Sequence, residues 1–275
     1  MSDSSNNNES NVEGTINAVA GLAKAVPVYE DALQPAAKEI GKALGTVAKT
    51  VNVALAPVSA LVWGYDKIKD FVDTKVSEKL SGVKDEDIVS PPPNVAGPAL
   101  ESLKYTGCIE ELKELYANLI ASSMDKNTTH KAHPSFVEII KQLSPDEAKL
   151  LTYFKTSNAA PIINIKNNRK DKSGGRLEYR YFTNLGEQLE LQNLSLIPSY
   201  WDNLIRLGIV DIPDNNQLLD QGVYDDIIAH PAVESITKGI DKQEDRVSEI
   251  KKTAALVTDL GRQFIDTCVV DHRAK

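Results

Sequence analysis

Cysteine is nearly absent, with Cys108 and Cys268 the only two in 275 residues. Two thiols cannot make a disulfide framework for a chain of this length, and both lie in amphipathic helical patterns where they read as small apolar fillers, in keeping with a reducing cytoplasm. Positive charge is in deficit, 31 lysines and arginines against 39 acids for a net charge of -8. Nothing therefore pulls the whole molecule toward nucleic acid or anionic lipid, and either partner would have to be met by a local patch. A spanning hydrophobic run is missing as well. The uncharged stretch 50–65 falls short of the about 20 apolar residues a membrane helix needs and reads as a buried or interfacial helix. Residues Ser2 to Asn11 hold only serine, asparagine and acid, and no lysine precedes Lys24. That composition lacks the basic start and apolar centre of a secretory signal, so 1–12 is expected to be a disordered tail. No GxxxxGK[ST] loop, GxSxG elbow or HExxH helix is present. No enzyme, cofactor, metal or small-molecule substrate is expected, although a site assembled from residues distant in sequence stays open.

Hydrophobic content of 41% and charged content of 25% are ordinary for a protein with a real core. Three segments follow the tail. The first, 13–82, is rich in Ala, Val and Gly and should form two or three helices. Gly41, Gly45, Ala48, Asn52, Ala56, Ala60 and Gly64 recur along it at spacings of four or three, one helical stripe that a partner helix could approach closely. Pro57 predicts a kink. A linker, 83–98, contains Pro91, Pro92 and Pro93, which favour an extended polyproline stretch. The second segment, 99–157, shows Ile109, Leu112, Tyr116, Leu119 and Ile120 at helical spacing. It also holds Ser144, Pro145 and Glu147, the pattern of a capping box with proline in the first turn.

The third segment, 158–275, changes character. Two Ile, Tyr and Phe-rich runs, 161–166 and 177–183, flank a turn with Gly174 and Gly175 and predict a β-hairpin. A helix from Pro198 to Leu207 ended by Gly208, a strand Ile209 to Ile212, a long helical stretch from Gln221 to Lys251, and a last helix capped by Thr258 complete it. The expected fold class is mainly α, an N-terminal and central helical bundle followed by a winged-helix-like α+β module.

Two surfaces are candidates for contact. Gly41, Gly45, Leu55, Leu61 and Trp63 belong to an apolar helical stretch flanked by lysines, suited to another helix or to a lipid interface. The alternative is an ordinary core helix. Lys166, Arg169, Lys170, Lys172 and Arg176 put positive charge on the hairpin, where a wing could reach a phosphate backbone. The alternative is a charged turn that resists aggregation. His130 and His133 lack the further ligands a zinc site needs, and Asp225 with Asp226 or Glu110 with Glu111 point apart on a helix surface.

Three runs resemble a known family. Gly97-Pro98-Ala99-Leu100-Glu101-Ser102-Leu103 is the first. The second runs from Glu114-Leu115-Tyr116-Ala117-Asn118-Leu119 to Asp125, and the third from His133-Pro134-Ser135-Phe136 through Ser144-Pro145-Asp146-Glu147-Ala148. Together they are similar to the abortive infection alpha (Abi-alpha) family, and Leu260-Gly261-Arg262-Gln263-Phe264, closing at Cys268, resembles its end. The resemblance implies a bacterial protein of defence against bacteriophage, in which infected cells stop growing or die before virus is released. It carries over no catalytic residues. The function expected is a non-enzymatic effector or sensor, cytoplasmic or membrane-associated, working through a protein partner, self-association or a membrane surface. The alternative is a winged-helix nucleic-acid-binding regulator, which the net charge disfavours.

Overall fold

The computed structural model describes residues 62–214 and 216–274. It is mainly helical with a four-stranded antiparallel sheet. Helix α1 (Tyr65–Phe71) continues through a π-helical turn, Val72–Val76, into a last turn, Ser77–Lys79. The stretch expected as an extended linker is more structured than its prolines suggest. Residues Asp87 and Val89 bond along the end of the third helix, Val89 N to Met124 O at 2.8 Å and Lys126 N to Asp87 O at 2.9 Å. Helix α2 (Pro93–Thr106) then begins on the third proline, since a first helical residue has no use for the missing N–H. It runs on through Pro98 and buries Val95, Ala99 and Leu103 along one stripe.

Helix α3 (Glu110–Met124) sits at the centre of the core. It has no glycine or proline, starts on two acids that favour the positive end of a helix, and is buried on every face from Leu115 to Ser123. Helices α4 (Ser135–Lys141) and α5 (Pro145–Thr152) pack around it. The expected capping box is there, with Ser144 Oγ accepting from Glu147 N at 3.2 Å and Glu147 Oε2 accepting from Ser144 N at 2.6 Å.

The hairpin is β1 (Ala159–Arg169) and β2 (Gly175–Phe182), and the sheet order is β2-β1-β4-β3. Along β1, Ala160 and Ile162 join the main helical core while Ile163 and Ile165 join a second, smaller cluster on the other face. A strand covered on both faces reads as a continuous apolar run, which is why Pro161–Ile165 shows little alternation. Pro161 fits an inner strand because β2 is paired only from Ile163 onward, so no neighbour waits for its missing N–H. After β2 come a short helix α6 (Leu185–Gln188), α7 (Ile197–Arg206) and strand β3 (Val210–Asp211). Gly208, at φ +72°, ends α7 as its sequence predicts.

The long helix expected from Gln221 to Lys251 is corrected. It is a short α8 (Asp225–Ile228), α9 (Pro231–Asp241) and then β4 (Arg246–Val257), an inner strand paired with β1 along all eleven residues of that strand. Pro231 forces His230 into extended backbone, so one helix stops and another starts. The charges of Glu249, Lys251 and Lys252 and the two alanines after them disguise β4 as helix. The winged-helix arrangement is not confirmed: β1 pairs with β4 along its whole length and with β2 from Ile163 on, inside a four-stranded sheet. Helix α10 (Asp259–Phe264) follows, capped by Thr258 Oγ1 on Gly261 N at 2.9 Å, and a π-helical turn, Ile265–Val269, extends it. A Cβ on Gly261 would lie 2.0 Å from the backbone oxygen of Ile209, so only glycine lets this helix approach so closely.

Candidate functional site

The described residues converge on chemistry at one place, where the chain's last turn meets α3. Asn118 and Ser122 stand four apart on one face of α3, buried among mostly apolar side chains, and Asp125, three further on, caps the helix end. Buried polar groups need partners. Asn118 Nδ2 donates to Cys268 O at 3.0 Å, and Ser122 Oγ donates to Thr267 O at 3.2 Å. A π-helical turn spoils the regular ladder, and both accepting carbonyls belong to that turn. The turn leads His272 inward, 4% exposed, with Nε2 3.2 Å from Asp125 Oδ2 and Nδ1 3.2 Å from Ser122 Oγ. The imidazole thus bridges the Ser122 hydroxyl and the Asp125 carboxylate, one at each ring nitrogen. Asp125 is further held by Asn127, whose N–H donates to Oδ1 at 2.8 Å.

Ion pairs flank this row. Lys79, at the end of α1 and 4% exposed, reaches Glu114 Oε2 at 2.8 Å and Asp271 Oδ2 at 3.1 Å. Arg273 binds Asp271 at 3.0 Å and Glu78 at 2.6 Å. The Arg273 bond, then those from its backbone and from Lys79, outweigh burial and hold the Asp271 carboxyl well below the ordinary carboxylate range. Beside the row opens a cleft of about 360 Å³ where Lys84, Asp87, Asp125, Asn127, His272 and Arg273 meet.

Serine, histidine and aspartate in a row have the pairings of a hydrolase triad, but the hydroxyl does not reach the cleft. Ser122 is fully buried, does not border the cleft, and already donates its proton to Thr267. The row is a strap: it fastens the end of the chain to α3, and the Lys79 and Arg273 pairs fasten it to α1. Among the described residues no group of three or more His, Cys, Asp or Glu could hold a metal ion.

The residues singled out from sequence lie elsewhere. Gly41, Gly45, Leu55 and Leu61 fall outside the described residues. Trp63 is half-buried, its ring over Gly107 and edge-on to Phe71 at 6.0 Å between centroids. Among the described residues no helix is long and apolar enough to cross a membrane. On the hairpin, Arg169, Lys170, Lys172 and Arg176 are exposed together and Lys166 is half-buried, but acids come with them. Lys170 bonds the α9–β4 loop through Asp245 O and Glu244 O, Lys166 faces Glu249 across the sheet, and Arg176 Nε meets Glu178 at 2.9 Å. Carboxylates at those places repel phosphate, so nothing here favours a nucleic-acid-reading wing. Cys268 is the buried filler expected, whereas Cys108 is exposed in the turn between α2 and α3. The strap was missed because its partners are 145 to 192 residues apart. The one local signal was the polar row Asn118, Ser122, Asp125 inside an apolar helix.

A family model described as abortive infection alpha matches residues 64–268. The chain belongs to the abortive infection alpha family. In this Abi-alpha protein the runs that carry the likeness have physical work: the first is the core stripe of α2, the second is α3, and the Ser-Pro-Asp-Glu run builds a cap and an anchor. Asp146 of that run is 4% exposed and accepts from Gln192 N, Asn193 N and Tyr200 Oη at 2.9, 2.9 and 2.8 Å. Arg262 of the last run donates to the carbonyls of Phe154 and Ser157, both at 3.0 Å. Asp271, His272 and Arg273 lie beyond the matched residues. No curated protein matches the chain. A solved structure, that of the uncharacterized protein from the hydrocarbon-degrading marine bacterium Alcanivorax borkumensis SK2, is similar at 17% identity over 53% of this chain and 96% of that one. Its TM-score of 0.35 is too low to carry an argument.

Proposed function

We propose that this Abi-alpha protein is a non-enzymatic abortive-infection effector or sensor that acts through contact with another protein or with a membrane surface. Family membership supports the link to abortive infection. The observation that carries the contact reading is the strap: among the described residues, the serine, histidine and aspartate that stand at triad-like distances have their hydroxyl fully buried and away from the cleft. Side chains that could break bonds are used there to hold segments in place, which leaves surfaces as the means of action.

The test is a phage challenge in a bacterial host. Cells producing the protein are expected to plate fewer phage from a panel than cells producing none, and infected cells are expected to lose viability before phage are released. Unchanged plaquing together with unchanged survival for every phage would contradict the reading.

A further inference from the structure

Helix α9 lies over β4 and buries Val233 and Ile240 in the second core, but among the described residues it leaves a groove open along the edge strand β2. Two cavities of about 270 and 310 Å³ follow one another there and share Tyr179 and Ile236. The floor is apolar, with Phe182 and Ile197 beside those two residues. Leu194 and Leu196, 40% and 46% exposed, lengthen the apolar surface at one end, and Leu194 itself lines the cavity. Charge in the lining has one sign: Glu187 in the first cavity and Glu178 in the second, with no lysine or arginine. Arg176 shares Glu178 and His230 sits 3.4 Å from Glu187, but neither acid is buried by its partner.

Gly239 is the telling residue. It stands inside α9 without a positive φ, and a Cβ there would meet nothing within 4 Å. Glycine weakens a helix interior, and the backbone has no need of it at this position. It lines the second cavity with Ser235 and Gln243, so a side chain placed there would project beside the groove.

We infer that this groove is a docking site for a peptide segment of a partner protein carrying leucine or phenylalanine flanked by lysine or arginine. The apolar floor takes the hydrophobic side chains, and Glu178 and Glu187 at the two ends take the basic flanks, as charge complementarity between surfaces requires. The inference deepens the contact reading above and rests on it.

The full chain is tested against an array of short peptides with leucine and phenylalanine at the centre and lysine, serine or glutamate in the flanks. Lysine-flanked peptides are expected to bind, and Gly239→Leu, whose Cβ would meet no atom within 4 Å, is expected to weaken them roughly tenfold or more while its thermal midpoint is not lowered. Glu187→Lys is expected to shift preference toward glutamate flanks. No binding by any peptide, equal binding regardless of flank charge, or full binding by Gly239→Leu would overturn the inference. A protein that protects cells yet binds no peptide faults the groove alone, whereas one that binds peptides yet never protects faults the reading it rests on.

Discussion

Asp146→Ala is expected to lower the free energy of unfolding by about 3–5 kcal/mol, because it strips the acceptor from three donors in or near the core. Gln192 N, Asn193 N and Tyr200 Oη all end on this one carboxylate, which ties the start of α5 to the segment leading into α7. Burial pushes the Asp146 carboxyl up, but the bonds from Gln192, Tyr200 and Asn193 outweigh it and hold the group below its ordinary value of 3.8. Burial and the same bond push the Tyr200 phenol up to about 12, so it remains a donor at any physiological pH. A carboxyl with a depressed folded-state pKa stabilises above its ordinary value and loses that contribution as pH falls through the folded one. Urea titrations of the wild type should therefore show stability dropping below the ordinary 3.8, with Asp271 acting in the same direction. The Asp146→Ala protein should start lower and fall less steeply. A loss under about 1 kcal/mol at neutral pH would mean that the anchor is not built as described.

His272→Ala is expected to cost about 1–3 kcal/mol, the usual result of leaving a buried hydrogen-bonding group without its partner. Asp125, 7% exposed, would keep its carboxylate in the interior with one oxygen stripped of its donor. Asp125→Asn should be milder, since the amide still accepts from the imidazole. Combined, the two changes should cost less than the sum of the single ones, because the second removes what the first left stranded. Urea midpoints of the four proteins measure this, and strictly additive losses would show that the two side chains do not work as a pair.

How far the fold was legible depended on how local its causes are. The Ser144 box, the Thr258 cap, the Gly208 stop and the hairpin each answer to neighbours within a few residues, and all stand where their patterns put them. Strand β4 answers to β1 about ninety residues away, while its own charges and alanines point toward helix. Pro93 misled in the other direction, because a proline that forbids a helix interior is at home in its first turn. The strap was illegible for the same reason as β4. Its serine, histidine and aspartate follow no motif spacing, and only the folding of the last turn against α3 brings them together. The basic hairpin was legible as a place but not as a field, since beside its own Glu178 the acids come from β4 and from the loop before it.

The most direct measurement is phage protection by Ser122→Ala, compared with wild type at equal protein level and with folding checked by circular dichroism. The substitution removes the hydroxyl that an acyl-transfer chemistry in the row would need and leaves the backbone of α3 untouched. A contact-acting protein is predicted to protect cells as well as the wild type does. A folded Ser122→Ala protein that has lost protection would contradict it and place bond-making chemistry at the row of Ser122, His272 and Asp125.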